Sequence, residues 1–280
     1  MTASIHPTAI IDPNTKIGAN VRIGPYCTIG ADVVLGDGCT LASHVVITGH
    51  TTLGEQCSIF PFASLGQPPQ DLKYRGEQSR LEIGSRVNIR EYVTINTGTE
   101  GGGLLTKIGD DCLLMVGVHV AHDCRVGNRV VMANNATLAG HVTVGDHAVI
   151  GGLAAVHQFV RIGTHAMIGG LTGVEHDVIP YGLVMGERGY LQGLNLVGLK
   201  RHNYSRDEMN ALRTVYNKLF DGHGTVQQKL EHFQSLSQSP AVSQLLSFIS
   251  SESPRSLCMP RISNGRSSGS NGAASAVAAA

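Results

Sequence analysis

Side chains able to do acid–base or metal chemistry crowd one stretch of this chain: His119, His122, Asp123, His141 and His157. An imidazole with an ordinary pKa near ~6.5 can take a proton from a hydroxyl around neutrality. Three imidazoles brought together can equally hold a zinc ion. Asp123 follows His122 and is placed to accept its proton-bearing ring nitrogen, which would leave the other nitrogen free as a base. Spacing alone leaves base and metal both open. The chain has 13 histidines, so coincidence has to be weighed, and the question is whether the backbone brings these residues to one place.

The period of the chain answers it. Stepping six residues from Ile5 gives Ile5, Ile11, Ile17, Ile23, Ile29, Leu35, Leu41, Ile47, Leu53, Ile59 and Leu65. The register resumes at Ile83, Ile89 and Ile95, and again from Ile108 to Val174. Two positions before each aliphatic stands a small or β-branched residue, as at Val21, Cys27, Ala63, Cys112, Val130 and Ala148. Positions i and i−2 share one face of a strand. A period of six is neither helical nor simple alternation, and it marks a parallel β-helix. Three hexads close one coil of a three-sided prism, so residues 18 apart stack on adjacent coils about 4.8 Å from one another. Glycine often follows the aliphatic (Gly18, Gly24, Gly36, Gly109, Gly127), where the chain is expected to turn. In this register Gly140 lies directly above His122 and Gln158 above Gly140, with His141 and His157 on the same edge. His147 and His165 share a different face and are taken as ordinary turn histidines.

Lys and Arg number 21 and Asp and Glu 21, so the net charge is zero and nothing points to nucleic acid. No apolar run approaches the ~18 residues of a membrane span, so no membrane insertion is expected. With Ile5 already in register, no signal peptide is expected either. Cys27, Cys39, Cys57, Cys112 and Cys124 fall in the small inward column. They are expected to be buried, reduced thiols of a cytoplasmic protein, not disulfides or metal ligands. The expected fold is an all-β parallel β-helix over residues 1–190, with inserts at 66–82 and 96–107. A small α-helical domain should follow over 191–251, then a Ser-, Gly- and Ala-rich disordered tail over 252–280. The first insert is long and charged, which suggests function. The second is expected to be flexible because of its glycines. Ser205 with Glu208 and Thr225 with Gln228 are helix-start signals, and Ser239-Pro240 opens a further helix.

The string from Val118 to His141, beginning Val118-His119-Val-Ala-His122-Asp123, closely resembles bacterial UDP-N-acetylglucosamine 3-O-acyltransferases, which are hexapeptide-repeat enzymes. So do Gln70-Asp-Leu-Lys-Tyr74, Ala155-Val-His-Gln-Phe159 and Gly198-Leu-Lys-Arg201, and the likeness runs from residue 5 to about residue 220. The resemblance implies a left-handed coil, an exception to the right-handed crossover rule. It also implies a homotrimer with active sites in the clefts between neighbours. The implied reaction moves an (R)-3-hydroxyacyl group from acyl carrier protein to the glucosamine 3-OH of UDP-N-acetylglucosamine, the first step of lipid A synthesis. No cofactor or metal is implied, the phosphopantetheine thioester of the carrier being the co-substrate.

By the same resemblance, His122 matches the general base, Asp123 its partner and Gly140 the backbone N–H donor to the oxyanion. Gln70, Asp71, Lys73, His119, His141, His157, Gln158 and Asn195 match substrate-contacting positions. Lys200 and Arg201 match a basic stretch facing the diphosphate or the acidic carrier. Gly170 matches the residue that limits acyl length, and its missing side chain implies a chain of about 12 to 14 carbons. Val197 stands where the family often has Glu and His202 where it has Arg, so nucleotide contacts should differ. Arg188 replaces a smaller ring. A zinc-dependent β-helical carbonic anhydrase would use similar histidines, and metal content would separate the two. A structural β-helix of the ice-binding type would show regular Thr ladders, and the outward positions here are too varied. The later N-acyltransferase of the same pathway carries an N-terminal domain, not expected with the repeat in register from Ile5.

Overall fold

The computed structural model describes residues 2–221, 224–233 and 239–261. Most hexads form a strand of two residues, such as Val131–Met132. These stack in parallel into sheets of 11, 9 and 8 strands, one for each face of a left-handed prism. The register is the expected one: His119 pairs with Thr137, and Val131 with Val149. Where the inserts fall, the offset grows, so that Ser58 pairs with Asn88 and Thr94 with His119.

The two inward columns form the core. Met132, Leu138 and Ile150 are fully buried, as are Val130, Ala136 and Ala148 between them. Large and small side chains alternate because a triangular coil has room for one bulky residue per face. Burying each aliphatic stabilises by roughly 1.5–3 kcal/mol, and only stacking supplies that burial, since a two-residue strand has no core of its own. The inward thiols tie coils together. Cys39 donates to the Gly54 carbonyl at 3.1 Å and Cys124 to the Ala139 carbonyl at 3.1 Å. All six cysteines are free and buried, and burial pushes the Cys124 thiol up to about 12, which keeps it an unreactive thiol.

The glycines have a different role from the expected one. The turns are made two residues later, mostly by non-glycine residues in the left-handed region: φ is 58° at Asn20 and Tyr26, 62° at Asp123 and His141, and 65° at Phe159. The glycines instead permit close approach of coils. A Cβ on Gly36 would lie 2.5 Å from the Gly54 carbonyl carbon, and one on Gly109 2.5 Å from the Gly127 oxygen. Left-handed backbone costs on the order of 1–2 kcal/mol per residue. Because it recurs corner after corner, it marks the repeat and not the site.

The last coil is closed by an antiparallel hairpin, Gly182–Met185 against Tyr190–Leu194. Four helices follow among the described residues: α1 (Leu196–Arg201), α2 (Arg206–Leu219), α3 (Val226–Phe233) and α4 (Pro240–Ser250). The Ser205–Glu208 capping box is formed, and Thr225 and Gln228 exchange the same pair of bonds. The sequence pattern does not announce α1, because Gly198 weakens it, yet Asn195 caps it by accepting from the Gly198 N–H. No helix of the described residues is long and apolar enough to cross a membrane.

Two further expectations are corrected. Residues 252–261 are not a loose tail. Asp177 N–H donates to the Ser256 carbonyl and Cys258 N–H to the Asp177 carbonyl, while the buried Asp177 carboxylate accepts from Arg161 and Ser253. A buried charge must be hydrogen-bonded, and this segment supplies a partner that composition does not reveal. Residues 262–280 lie outside the described residues. The second insert is also not flexible, for a reason that lies in the site.

Candidate active site

His122 stands at a corner of the prism with its Nδ1 2.8 Å from Asp123 Oδ2. Asp123 is almost wholly buried, and the second insert holds it. Thr99 donates its N–H to Oδ1 at 2.8 Å and its hydroxyl to Oδ2 at 2.6 Å, while Asp123 N–H donates to Thr106 Oγ1 at 2.8 Å. The insert glycines serve this contact. A Cβ on Gly102 would fall 2.0 Å from the Asp123 carboxyl carbon, and one on Gly98 2.8 Å from Oδ1. Close approach, to the carboxylate at Gly102 and first of all to the Leu104–Leu105 backbone at Gly98, accounts for glycine at both positions. With both oxygens occupied, Asp123 can orient His122 by accepting its Nδ1–H, which leaves Nε2 with a lone pair.

Gly140 lies one coil above. A Cβ there would sit 2.5 Å from His122 Cε1 and 2.7 Å from Nε2, so the His122 ring fills the space that a side chain would need. Ala139 and His141 donate their N–H groups to the Val156 and His122 carbonyls, while among the described residues nothing accepts from the Gly140 N–H. A free backbone donor therefore lies beside the Nε2 face of an oriented imidazole.

His141 meets His122 edge to face at 5.1 Å between ring centres and stacks on Phe159 at 4.4 Å. Burial lowers its pKa below the ordinary imidazole range, the Asp123 charge opposing, and the charges of Asp71 and Lys73 also reach it. His119 bonds Thr94 Oγ1 through Nδ1 at 2.7 Å, and burial, with His122 adding to it, lowers its pKa too. The first insert, which carries Gln70, Asp71 and Lys73, is fixed by bonds of its own. Asp71 accepts from Lys73 N–H, and the root of the insert is tied to the second by a Ser79–Thr97 hydroxyl bond of 2.8 Å. His157 and Gln158 lie at the upper edge, both touched by Arg255.

Other residues lie apart. Asn195 spends its amide on the Gly198 N–H and the His165 carbonyl. Lys200 and Arg201 end α1, which meets the prism at another corner, where His202 packs edge-on against a stacked His147–His165 pair. Gly170 is exposed and its register places it on a different corner from His122. Residues that sequence reasoning missed are Thr99 and Thr106, Phe159 and Arg255. Of these only Phe159 was accessible, one coil above His141.

Two side-chain groups of the described residues have the donor set for a metal: His122, Asp123 and His141, and His147, His165 and His202. In the first, both Asp123 oxygens already accept short bonds from Thr99 and His122, so a metal would have to break the contact that orients His122.

Comparison with known proteins agrees with this architecture. The family described as "Udp N-acetylglucosamine O-acyltransferase; Domain 2" matches residues 177–258, and bacterial transferase hexapeptide repeats match 2–31, 14–49 and 105–140. The acyl-[acyl-carrier-protein]–UDP-N-acetylglucosamine O-acyltransferase of Caulobacter vibrioides is 51% identical over 258 residues, 92% of this chain and 98% of that protein. That of Paracoccus denitrificans is 55% identical over 202 residues, 72% of this chain and 77% of the relative. A solved UDP-N-acetylglucosamine acyltransferase superposes with a TM-score of 0.89 at 42% identity, covering 92% of this chain and all of that one. The enzyme from Campylobacter jejuni gives 0.88 at 36% identity over 92% of this chain and all of that one. The chain belongs to the UDP-N-acetylglucosamine O-acyltransferase family of hexapeptide-repeat acyltransferases.

Proposed function

We propose that this acyltransferase moves an (R)-3-hydroxyacyl group from the thioester of acyl carrier protein to the glucosamine 3-OH of UDP-N-acetylglucosamine, with His122 as general base and no metal or other cofactor. The observation that carries the reading is the Asp123–His122 pair beneath the unpartnered Gly140 N–H. His122 Nε2 takes the proton of the 3-OH as the oxygen attacks the thioester carbonyl. The oxyanion that forms accepts from the Gly140 N–H, a donor that needs no reorganisation. Collapse expels the phosphopantetheine thiolate, to which protonated His122 returns the proton. The buried Asp123 stabilises the imidazolium in between. His119, His141, His157, Gln158 and, on the first insert, Gln70, Asp71 and Lys73 line the acceptor site.

The working unit in this reading is a cytoplasmic homotrimer. His122 and the Lys200–Arg201 end of α1 occupy different corners of one prism, and a neighbouring chain would bring the second corner to the first, placing both on one substrate. Acyl transfer to UDP-N-acetylglucosamine tests it. His122→Ala is expected to lower kcat by about 10²–10⁴-fold, while light scattering still gives a particle of three 29.5-kDa chains. Full activity in the variant would refute the base.

A further inference from the structure

The segment after α4 returns to the edge of the site. Arg255 Nη2 lies 2.8 Å from His157 Nδ1, and Arg255 Nε donates to the Gln158 carbonyl at 3.1 Å. His157 Nδ1 also lies 3.3 Å from that same carbonyl. A guanidinium is donor-only and stays charged, so the nitrogen facing it must offer its lone pair. A neutral His157 then carries its proton on Nε2. Without the guanidinium the other tautomer has its partner already in place, with Nδ1–H donating to the Gln158 carbonyl and Nε2 becoming the acceptor. The segment does not depend on Arg255 for its docking. Ser253 donates to the buried Asp177 carboxylate at 2.5 Å and accepts the Arg255 N–H at 3.1 Å, and Cys258 is buried beyond it.

We propose that Arg255 is a positioning residue that fixes His157 as an Nε2–H donor to an acceptor oxygen of the sugar nucleotide. The C-terminal segment is then part of the substrate site and not only a cap on the coil. This rests on the function proposed above, in which His157 contacts the acceptor. A fixed donor that holds substrate and transition state alike affects KM and leaves kcat in place.

The test uses the full chain with Arg255→Met and Arg255→Lys. In the Met variant, KM for UDP-N-acetylglucosamine is expected to rise about tenfold with kcat within about twofold, and in the Lys variant KM returns to within about threefold. Ring-nitrogen NMR of ¹⁵N-histidine-labelled protein, with the His157 signal assigned by His157→Gln, should show Nε2–H in the wild type and Nδ1–H in Arg255→Met. A merely structural arginine would lower the melting temperature and leave the tautomer alone. An unchanged His157 tautomer, or a KM within about twofold of wild type in the Met variant, would overturn the proposal. If the Met variant melts early, its ring spectrum is read below that transition, where an unchanged Nε2–H form still overturns the proposal. If the wild type fails to acylate UDP-N-acetylglucosamine, the proposed function falls, and the ring spectra still decide the part played by Arg255.

Discussion

Gly140 has two reasons to be glycine, and a single methyl group separates them. Access for the thioester carbonyl to its N–H would be one. The other is steric, since a Cβ would lie 2.5 Å from His122 Cε1, well inside contact distance. Gly140→Ala keeps the N–H and adds only the methyl, so any loss reports displacement of the His122 ring. We expect kcat to fall by about 10²-fold, the scale of a misplacement of about 1 Å, with binding of the sugar nucleotide little changed. Steady-state kinetics with both substrates varied would read this, and a kcat near wild type would show that the ring has room to move. Asp123 is a comparable case. Its left-handed backbone is shared with most corners, so what sets it apart is burial and three accepted hydrogen bonds.

The inserts and the histidine column show how separate elements create environments. The second insert, a loop with one 3₁₀ turn over Glu100–Gly102, acts as the wall behind Asp123. On another corner, His165 is packed between His147, Tyr181 and the α1-terminal His202. Burial, then the charge of His147, pushes its pKa from 6.5 down to about 4. Asp146 opposes this, while burial, His202 and Arg129 also lower His147. The neutral form is the one that folds. As pH falls below 6.5 the unfolded chain takes up the proton first, so stability present above that value is lost progressively towards about 4. The melting temperature should fall through that window, and His165→Phe should make the fall shallower. Calorimetry across the range checks this, and an identical slope in the variant would remove His165 as a cause.

The prism places His122 and Gly170 on different corners, and in the proposed trimer acyl length would belong to that geometry. Gly170 is exposed, and a Cβ on it would lie 3.2 Å from the Gly152 oxygen, so a larger side chain would project outward, where the proposed trimer would place a neighbouring chain. A series of acyl carrier protein thioesters should show a preference for about 12 to 14 carbons, shifting to about 10 in Gly170→Met, since pocket shape decides which chain fits. A wild-type preference for about 10 carbons would refute the assignment.

Much of this was legible in the chain because a solenoid converts a one-dimensional period into contacts at a fixed separation. The hexads alone stack His122 under Gly140 and Gly140 under Gln158, and they assign five cysteines to the core. Contacts that follow no period were not legible. Thr99 reaches Asp123 because the inserts shift the offset, and Arg255 reaches His157 across 98 residues. His202 closes on His147 and His165 from a helix that Gly198 obscures. The glycines show the limit most clearly. A residue without a Cβ suits a turn, a flexible loop or a close approach equally well, and only the spacing of packed coils shows that these positions are occupied by the next coil, the Asp123 carboxylate or the His122 ring.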